Sequence, residues 1–427
     1  MKSLLVKINN KLNAQGGFLK AVSVLVGGAA FAQVIGLICL PILTRLYTPE
    51  DYSILGVYVA IVAILSVVTC LRFDIAIPIP ESTTEGRAVL YLALISNIVF
   101  TLLLFLMLVL TYPYLIQFEL VKKISFWIWL IPLGVSLTGF YSALQYWATR
   151  NKRFKVIAKT RVTQAVFSNA SSMGLGFSSL GFSGLIVGQL LSYFGGLFRL
   201  TSDTLRDKNK YKEINLKKTF IKYQNFPKYS TLEGLANTSA IQLPLIIIAI
   251  YVAGPEVGYL MLAMKVLGIP MGLIGSAISQ VYLSNAGEFY KKEKLYSYTK
   301  NIVNRIFKIV FFPFVALMLL SPYIFEWVFG KSWSDLGYYI MGMIPWYFMQ
   351  ILSSPVSMSL HVLNKQKIAL FLQILGFFIR VIVLSIVVLH DNSIAVYYYI
   401  LSGFIFYILY FMVIMYVVKS DEIKCMH

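Results

Sequence analysis

Acidic residues are scarce in this 427-residue chain. It holds 18 Asp and Glu against 37 Lys and Arg, and all charged types together make up only 13% of it. Cysteine is scarcer still, with three in all. Cys39 and Cys70 fall in apolar runs and Cys425 near the C-terminus, so they imply no disulfide framework and show no metal-ligand spacing. No polar stretch is long enough for a soluble domain. The hydrophobic share is 58% and the mean hydropathy +0.75, which excludes a soluble globular protein of this length.

What the chain has instead is apolar runs. A spanning helix needs about 20 mostly apolar residues. Twelve such stretches are expected near 21–43, 53–77, 88–112, 125–148, 157–178 and 182–202, then 230–252, 256–282, 302–328, 336–361, 367–389 and 394–418. The fifth, "RVTQAVFSNASSMGLGFSSLG", is rich in Ser and Gly and is expected to face other helices rather than lipid. "GGAAFAQ" contains an Ala30-x-Ala32 pattern of the signal-cleavage type, but the apolar run continues past it to Leu43 and has the length of a full span.

The net charge of +19 raises the question of nucleic acid, and its distribution answers it. With the N-terminus placed in the cytoplasm, 30 Lys and Arg fall on inner segments. Four, Arg45, Lys122, Lys123 and Lys331, fall on outer loops. That is the positive-inside pattern, with both termini cytoplasmic and no nucleic-acid partner.

The halves repeat. "LPILTRLYTPEDYSILGVYVA" at 40–60 has a counterpart in "LPLIIIAIYVAGPEVGYLMLAMKV" at 243–266, and "NKRFK" at 151–155 in "NKQK" at 364–367. The sequence therefore predicts an all-α polytopic membrane protein of twelve helices in two pseudo-symmetric six-helix lobes. The lobes are residues 1–204 and 229–427, joined by a basic cytoplasmic linker, 205–228, that lies partly as an amphipathic helix on anionic headgroups. Each half has an even number of spans, so the copies share orientation, which implies a cavity between them. Prolines in or near the spans, among them Pro41, Pro244, Pro270 and Pro345, suit bending.

Depth sorts the charges within spans. Arg72 and Asp74 fall near the inner end of the second span. A continuous helix turns their side chains about 200° apart, so an interface anchor or a tie between helices is favoured over substrate contact. Lys265 and Arg380 fall near the middle of theirs, where a cation on a lipid face costs about 2.5–3.5 kcal/mol. No acid sits at that depth: Glu233 and Arg161 are both shallow, about a turn from the inner side. Unpaired positive charge at midplane asks for an anionic guest; at Lys265, backbone carbonyls freed at the Gly268–Pro270 kink are the alternative.

"LPILTRLYTPEDYSILG" followed by "LRFDIAIPIP" resembles the start of the bacterial Wzx-type O-antigen and capsule repeat-unit flippases of the multidrug/oligosaccharidyl-lipid/polysaccharide exporter (MOP) superfamily. Arg45 matches the Arg before the first outer loop, and Arg72, Phe73, Asp74, Ala76 and Ile77 match the pattern closing the second helix. Ser53 stands where the family turn has Gly, and the second copy keeps Gly258. The resemblance implies a MATE-like fold in the bacterial inner membrane and no enzymatic activity or cofactor. The implied cargo is an undecaprenyl-diphosphate-linked oligosaccharide, carried from the cytoplasmic to the periplasmic leaflet by alternating access. Other polysaccharide-assembly membrane proteins are implied as partners besides membrane lipids. On that reading Lys265, Arg380, Arg45 and Arg161 bind substrate, and Arg72, Asp74 and Glu233 are structural or couple transport to a cation. A drug/cation antiporter of the same superfamily is the nearest alternative, though a cation pump calls for midplane acids. A membrane glycosyltransferase or polymerase, with Glu50 and Asp51 as its acids, lacks the sizeable outer loop such an enzyme needs.

Overall fold

The computed structural model describes residues 17–117, 119–178, 180–205, 215–252, 254–363 and 365–426. Residues 206–214 of the expected linker and Asn364 of the second repeat lie outside them. Every described element is helical. The first half runs α1 (Gly17–Leu46), α2 (Pro49–Thr69), α3 (Thr83–Leu115), α4 (Ile131–Arg150), α5 (Phe154–Gly176) and α6 (Phe182–Leu205), followed by a short α7 (Leu216–Tyr223). The second runs α8 (Thr231–Tyr251), α9 (Glu256–Pro270), α10 (Ser276–Lys291), α11 (Leu295–Phe329), α12 (Leu336–Ser353), α13 (Gln366–Phe377), α14 (Val383–His390) and α15 (Ala395–Met426).

Each of the twelve expected spans falls on helix, and among the described residues nine helical segments are long and apolar enough to cross a bilayer. Helix α1 runs unbroken through Ala30. On α3, Leu102, Leu106 and Leu110 are 54–65% exposed, a surface that only hydrocarbon can cover at low cost. The Ser- and Gly-rich α5 packs along α6 and α1, as its composition predicts.

Two predicted spans are irregular in ways the hydropathy did not announce. The second ends at Thr69 rather than running to Ile77. Leu71 and Arg72 adopt left-handed backbone (φ 47° and 59°), which reverses the chain into a one-turn helix, Phe73–Ala76. The angular argument from a continuous helix therefore fails at Arg72 and Asp74. The eleventh span carries a π-helical turn, Phe378–Ile382, between α13 and α14, and an inserted residue of this kind re-aims the side chains it holds.

The chain forms two compact units. Unit 1 holds the described residues up to Tyr47 together with Tyr58–Thr238; unit 2 holds Thr48–Val57 and the described residues from Ser239 onward. Unit 1 is centred on Trp147, Phe73, Ile77, Val89 and Ala143, all fully buried. In unit 2, Tyr52 and Tyr259 both meet the buried Trp333 edge to face, at 5.2 and 5.8 Å between ring centroids.

The turn in which Ser53 replaces the family Gly has a direct role. The Ser53 hydroxyl accepts from the Gly258 N–H at 2.8 Å and donates to the Gly254 carbonyl at 3.0 Å, joining the proline turns of the two sequence repeats inside unit 2. Gly258 is required for this approach: a Cβ there would collide with the Pro49 carbonyl, which is backbone and cannot swing away. Gly258→Ala should cost about 1–3 kcal/mol through overpacking. Ser53→Ala should cost about 1 kcal/mol for each bond lost. The thermal midpoint of the detergent-solubilised protein measures both, with Gly258→Ala the more damaging.

Candidate functional site

Five of the seven candidate residues lie in unit 1 and two in unit 2. Asp74 is 6% exposed; its Oδ2 accepts the Ser142 hydroxyl of α4 at 2.5 Å, while its Oδ1 is buried with no hydrogen-bond partner among the described residues. Arg72 is half-buried and lies flat against Gly234 at the start of α8, so closely that a Cβ on Gly234 would sit 2.5 Å from Nη2. Tyr146 stands beside both charges. Asp74 thus ties to α4, while Arg72 packs against α8 with its buried Nε unpartnered among the described residues. Glu233, the neighbour of Gly234, is exposed. Arg45 is exposed in the last turn of α1, where the helix dipole favours a cation. Arg161 lies near the start of α5, within hydrogen-bonding reach of the Tyr141 hydroxyl.

Arg150 was not anticipated as a binding group. From the last turn of α4 its guanidinium donates to four carbonyls of the loop before α3: Ile77 (3.1 Å), Pro80 (2.5 Å), Glu81 (3.3 Å) and Ser82 (2.9 Å). The same loop end receives α7. Glu85 pairs with Lys222 and accepts the Tyr223 hydroxyl at 3.2 Å, and Phe220 meets Phe73 at 5.7 Å between ring centroids. The amphipathic helix expected in the linker is present, but its inner face, Thr219 and Tyr223, is buried on protein, while Lys217 and Lys218 stay exposed. The hydrogen bond to Glu85 raises the Lys222 ammonium above the usual lysine range. Its contribution to docking is therefore full at neutral pH and is lost only as alkaline pH passes that raised value.

In unit 2, Lys265 is exposed and sits midway along the 20-residue span Glu256–Gly275. Arg380, carried inward by the π-helical turn, is only 6% exposed. Its guanidinium carbon stands 4.8 Å from the ring centroid of Trp346 on α12, and 4.9 and 5.4 Å from those of Phe406 and Tyr407 on α15. Each desolvated cation–π contact contributes about 2 kcal/mol, and no carboxylate takes part. Arg380 is thus enclosed by rings and is not presented to open space. Its Nε and Nη2, the Nε1 of Trp346 and the hydroxyl of Tyr399 are all buried with no hydrogen-bond partner among the described residues, and Trp346 meets Tyr399 edge to face at 5.4 Å. Three of these four groups are pure donors and the fourth is a hydroxyl. Sequence reasoning singled out Arg380 from its depth, whereas the rings come from two other helices and share no spacing with it.

No group of three or more His, Cys, Asp or Glu placed to hold a metal ion occurs among the described residues.

The helical fold is shared with solved transporters of the MOP superfamily. It matches an inward-facing multidrug resistance MATE family transporter of that superfamily (TM-score 0.69, 15% identity, covering 93% of this chain and 95% of the other). It also matches the lipid II flippase MurJ in an inward closed conformation (0.71, 16%, 94% and 89%) and a MOP transporter from Pyrococcus furiosus described as having a binding pocket of reversed polarity (0.59, 13%, 94% and 96%). No curated protein matches the sequence. Within this class, the chain belongs to the polysaccharide biosynthesis protein family Polysacc_synt_3, whose model matches residues 42–337.

Removing the Arg150 clamp should free the loop between α2 and α3. Arg150→Met, which keeps the stem but leaves four carbonyls without their donor, should cost about 2–3 kcal/mol. Backbone amide exchange over residues 77–86 should rise at least about tenfold, read by mass spectrometry, with exchange in α12 unchanged.

Proposed function

We propose that the protein is a flippase of polysaccharide assembly in the bacterial inner membrane. It carries undecaprenyl-diphosphate-linked oligosaccharide units from the cytoplasmic to the periplasmic leaflet by alternating access. Family membership supplies the polysaccharide context, and the fold relative MurJ is a lipid II flippase. The observation that carries the reading is the Arg380 cluster: two nitrogens of a buried cation and two further hydrogen-bonding groups, at Trp346 and Tyr399, without partners among the described residues and none of them an acid.

Leaving such groups unsatisfied costs about 1–3 kcal/mol each. A chemical partner that would satisfy all of them is a phosphate, which offers only acceptors and negative charge. Lys265, at similar depth on α9, supplies a second positive charge. An inside-negative membrane potential then assists outward movement of the anionic head by about 2.3 kcal/mol per charge per 100 mV. The drug/cation antiporter alternative calls for carboxylates at this depth, and the two mid-span charges are both cations.

The test is transbilayer movement of undecaprenyl-diphosphate-linked oligosaccharide in proteoliposomes. Arg380→Met fills the cage without a charge, and replacing a buried ion by an apolar residue of similar volume is commonly neutral or stabilising. Its melting temperature should therefore hold while transport falls about tenfold or more; Lys265→Ala should also lower transport without loss of membrane insertion. Wild-type rates in both single variants and in the double variant would sink the cationic-site reading. In cells, a deletion strain should accumulate lipid-linked oligosaccharide on the cytoplasmic leaflet, and the sugar content of that pool names the repeat unit.

A further inference from the structure

A second basic feature lies wholly within unit 1. Helices α5 and α6 leave a groove of about 700 Å³ between them. Its two ends differ in chemistry. Lys155 and Lys159 line it from the first turns of α5 and Arg199 from the last turns of α6, all three exposed. Farther along come Thr163, then Phe167 on α5 and Phe194 on α6. Arg199 Nη1 donates to the Thr163 hydroxyl at 3.4 Å, marking where the cationic end gives way to rings. No acidic side chain is among the lining residues described.

We propose that this groove holds an anionic phospholipid from the leaflet on the Lys- and Arg-rich side of the membrane. Its phosphate rests on Lys155, Lys159 and Arg199, and one acyl chain lies between Phe167 and Phe194. Charge complementarity selects the head, because three exposed cations with no acid among the described lining residues attract anionic lipid at about 1 kcal/mol each near a membrane surface. The gradient along the helices selects a lipid over a free anion. From Lys155 to Phe167 is twelve residues, about 18 Å along a helix, a length over which a lipid passes from its head into its chains. A free phosphate has no use for the aromatic end. A soluble protein partner cannot reach it.

The test uses the full-length protein in detergent and native mass spectrometry, titrating dioleoyl phosphatidylglycerol against dioleoyl phosphatidylcholine. The wild type should retain phosphatidylglycerol at least about tenfold better, and the triple variant Lys155→Gln, Lys159→Gln, Arg199→Gln should lose that preference at an unchanged melting temperature. Equal retention of the two lipids, or an unchanged preference in the triple variant, overturns the proposal. Gly195→Leu tests the apolar half separately: Gly195 forms part of the lining, and a Cβ there would already sit 3.2 Å from the Phe167 ring. That variant should weaken dioleoyl but not dihexanoyl phosphatidylglycerol, and unchanged dioleoyl binding overturns the acyl assignment. Displacement of phosphatidylglycerol by substoichiometric undecaprenyl diphosphate would reassign the groove to the prenyl carrier, and displacement by millimolar inorganic phosphate alone would reassign it to a free anion. Either result overturns the phospholipid.

Discussion

The cost of placing charge and unpaired polar groups in hydrocarbon governs this structure. With no water to solvate them, each cation must be stabilised by something the protein or the membrane supplies, and three different means are visible. Lys155, Lys159 and Arg199 are exposed near the ends of their helices, where long basic side chains can reach polar surroundings. Arg150 is held by four backbone carbonyls of a loop that has no regular partner for them. Arg380 is held by three aromatic faces. Of these three, only the last leaves donors unsatisfied among the described residues, as Arg72 also does at its Nε, and in the proposed function the Arg380 donors are kept for a guest.

The same constraint made much of the fold legible in the sequence. Helix is the form that satisfies its own backbone within a segment, so apolar runs of the right length become helices, and the twelve expected spans lie on helix over most of their length. The Leu-Pro and Pro-Glu signatures of the two repeats likewise fall at equivalent places, with Pro49 opening α2 and Pro255 capping α9. What hydropathy does not encode is local backbone irregularity. Leu71 and Arg72 turn left-handed inside what reads as a continuous apolar run, because that turn is held by tertiary contacts to Ser142 and Gly234, far away in sequence. The π-helical turn at Phe378–Ile382 is equally invisible, since its composition is that of any membrane helix.

The candidate site was legible in part for a related reason. Depth alone singles out Lys265 and Arg380, because a mid-span cation is costly wherever it points. Depth does not say what a side chain meets. The two residues prove to have different surroundings, one exposed and one enclosed by rings. Arg150 escaped notice because an Arg at a helix end beside a basic loop is the commonest thing in a positive-inside protein; its four carbonyl partners follow from the course of the chain through Ile77–Ser82, not from any pattern of residue types. Ser53 is the opposite case. Its departure from the family glycine was visible in the sequence, and the hydroxyl that replaces it carries a bridge between the two proline turns that glycine could not make.

An aromatic cage also fits what a carrier asks of an anion site. A site that binds its cargo must release it on the other side, so the cation should be stable when empty, and a carboxylate partner would achieve that by competing directly with the incoming phosphate. Ring faces stabilise the guanidinium through its plane; the Tyr407 hydroxyl takes one hydrogen bond from it, and Nε and Nη2 stay without a partner among the described residues, a pair of donors of the kind that address phosphate oxygens. The empty state is therefore held without a rival anion. The cost of filling the site is reduced to opening the cage, and the unsatisfied donors at Arg380, Trp346 and Tyr399 offset part of that cost when an acceptor arrives. Lysine in place of Arg380 would keep the charge but not the plane, so a site working by this geometry should discriminate between the two even though both are cations.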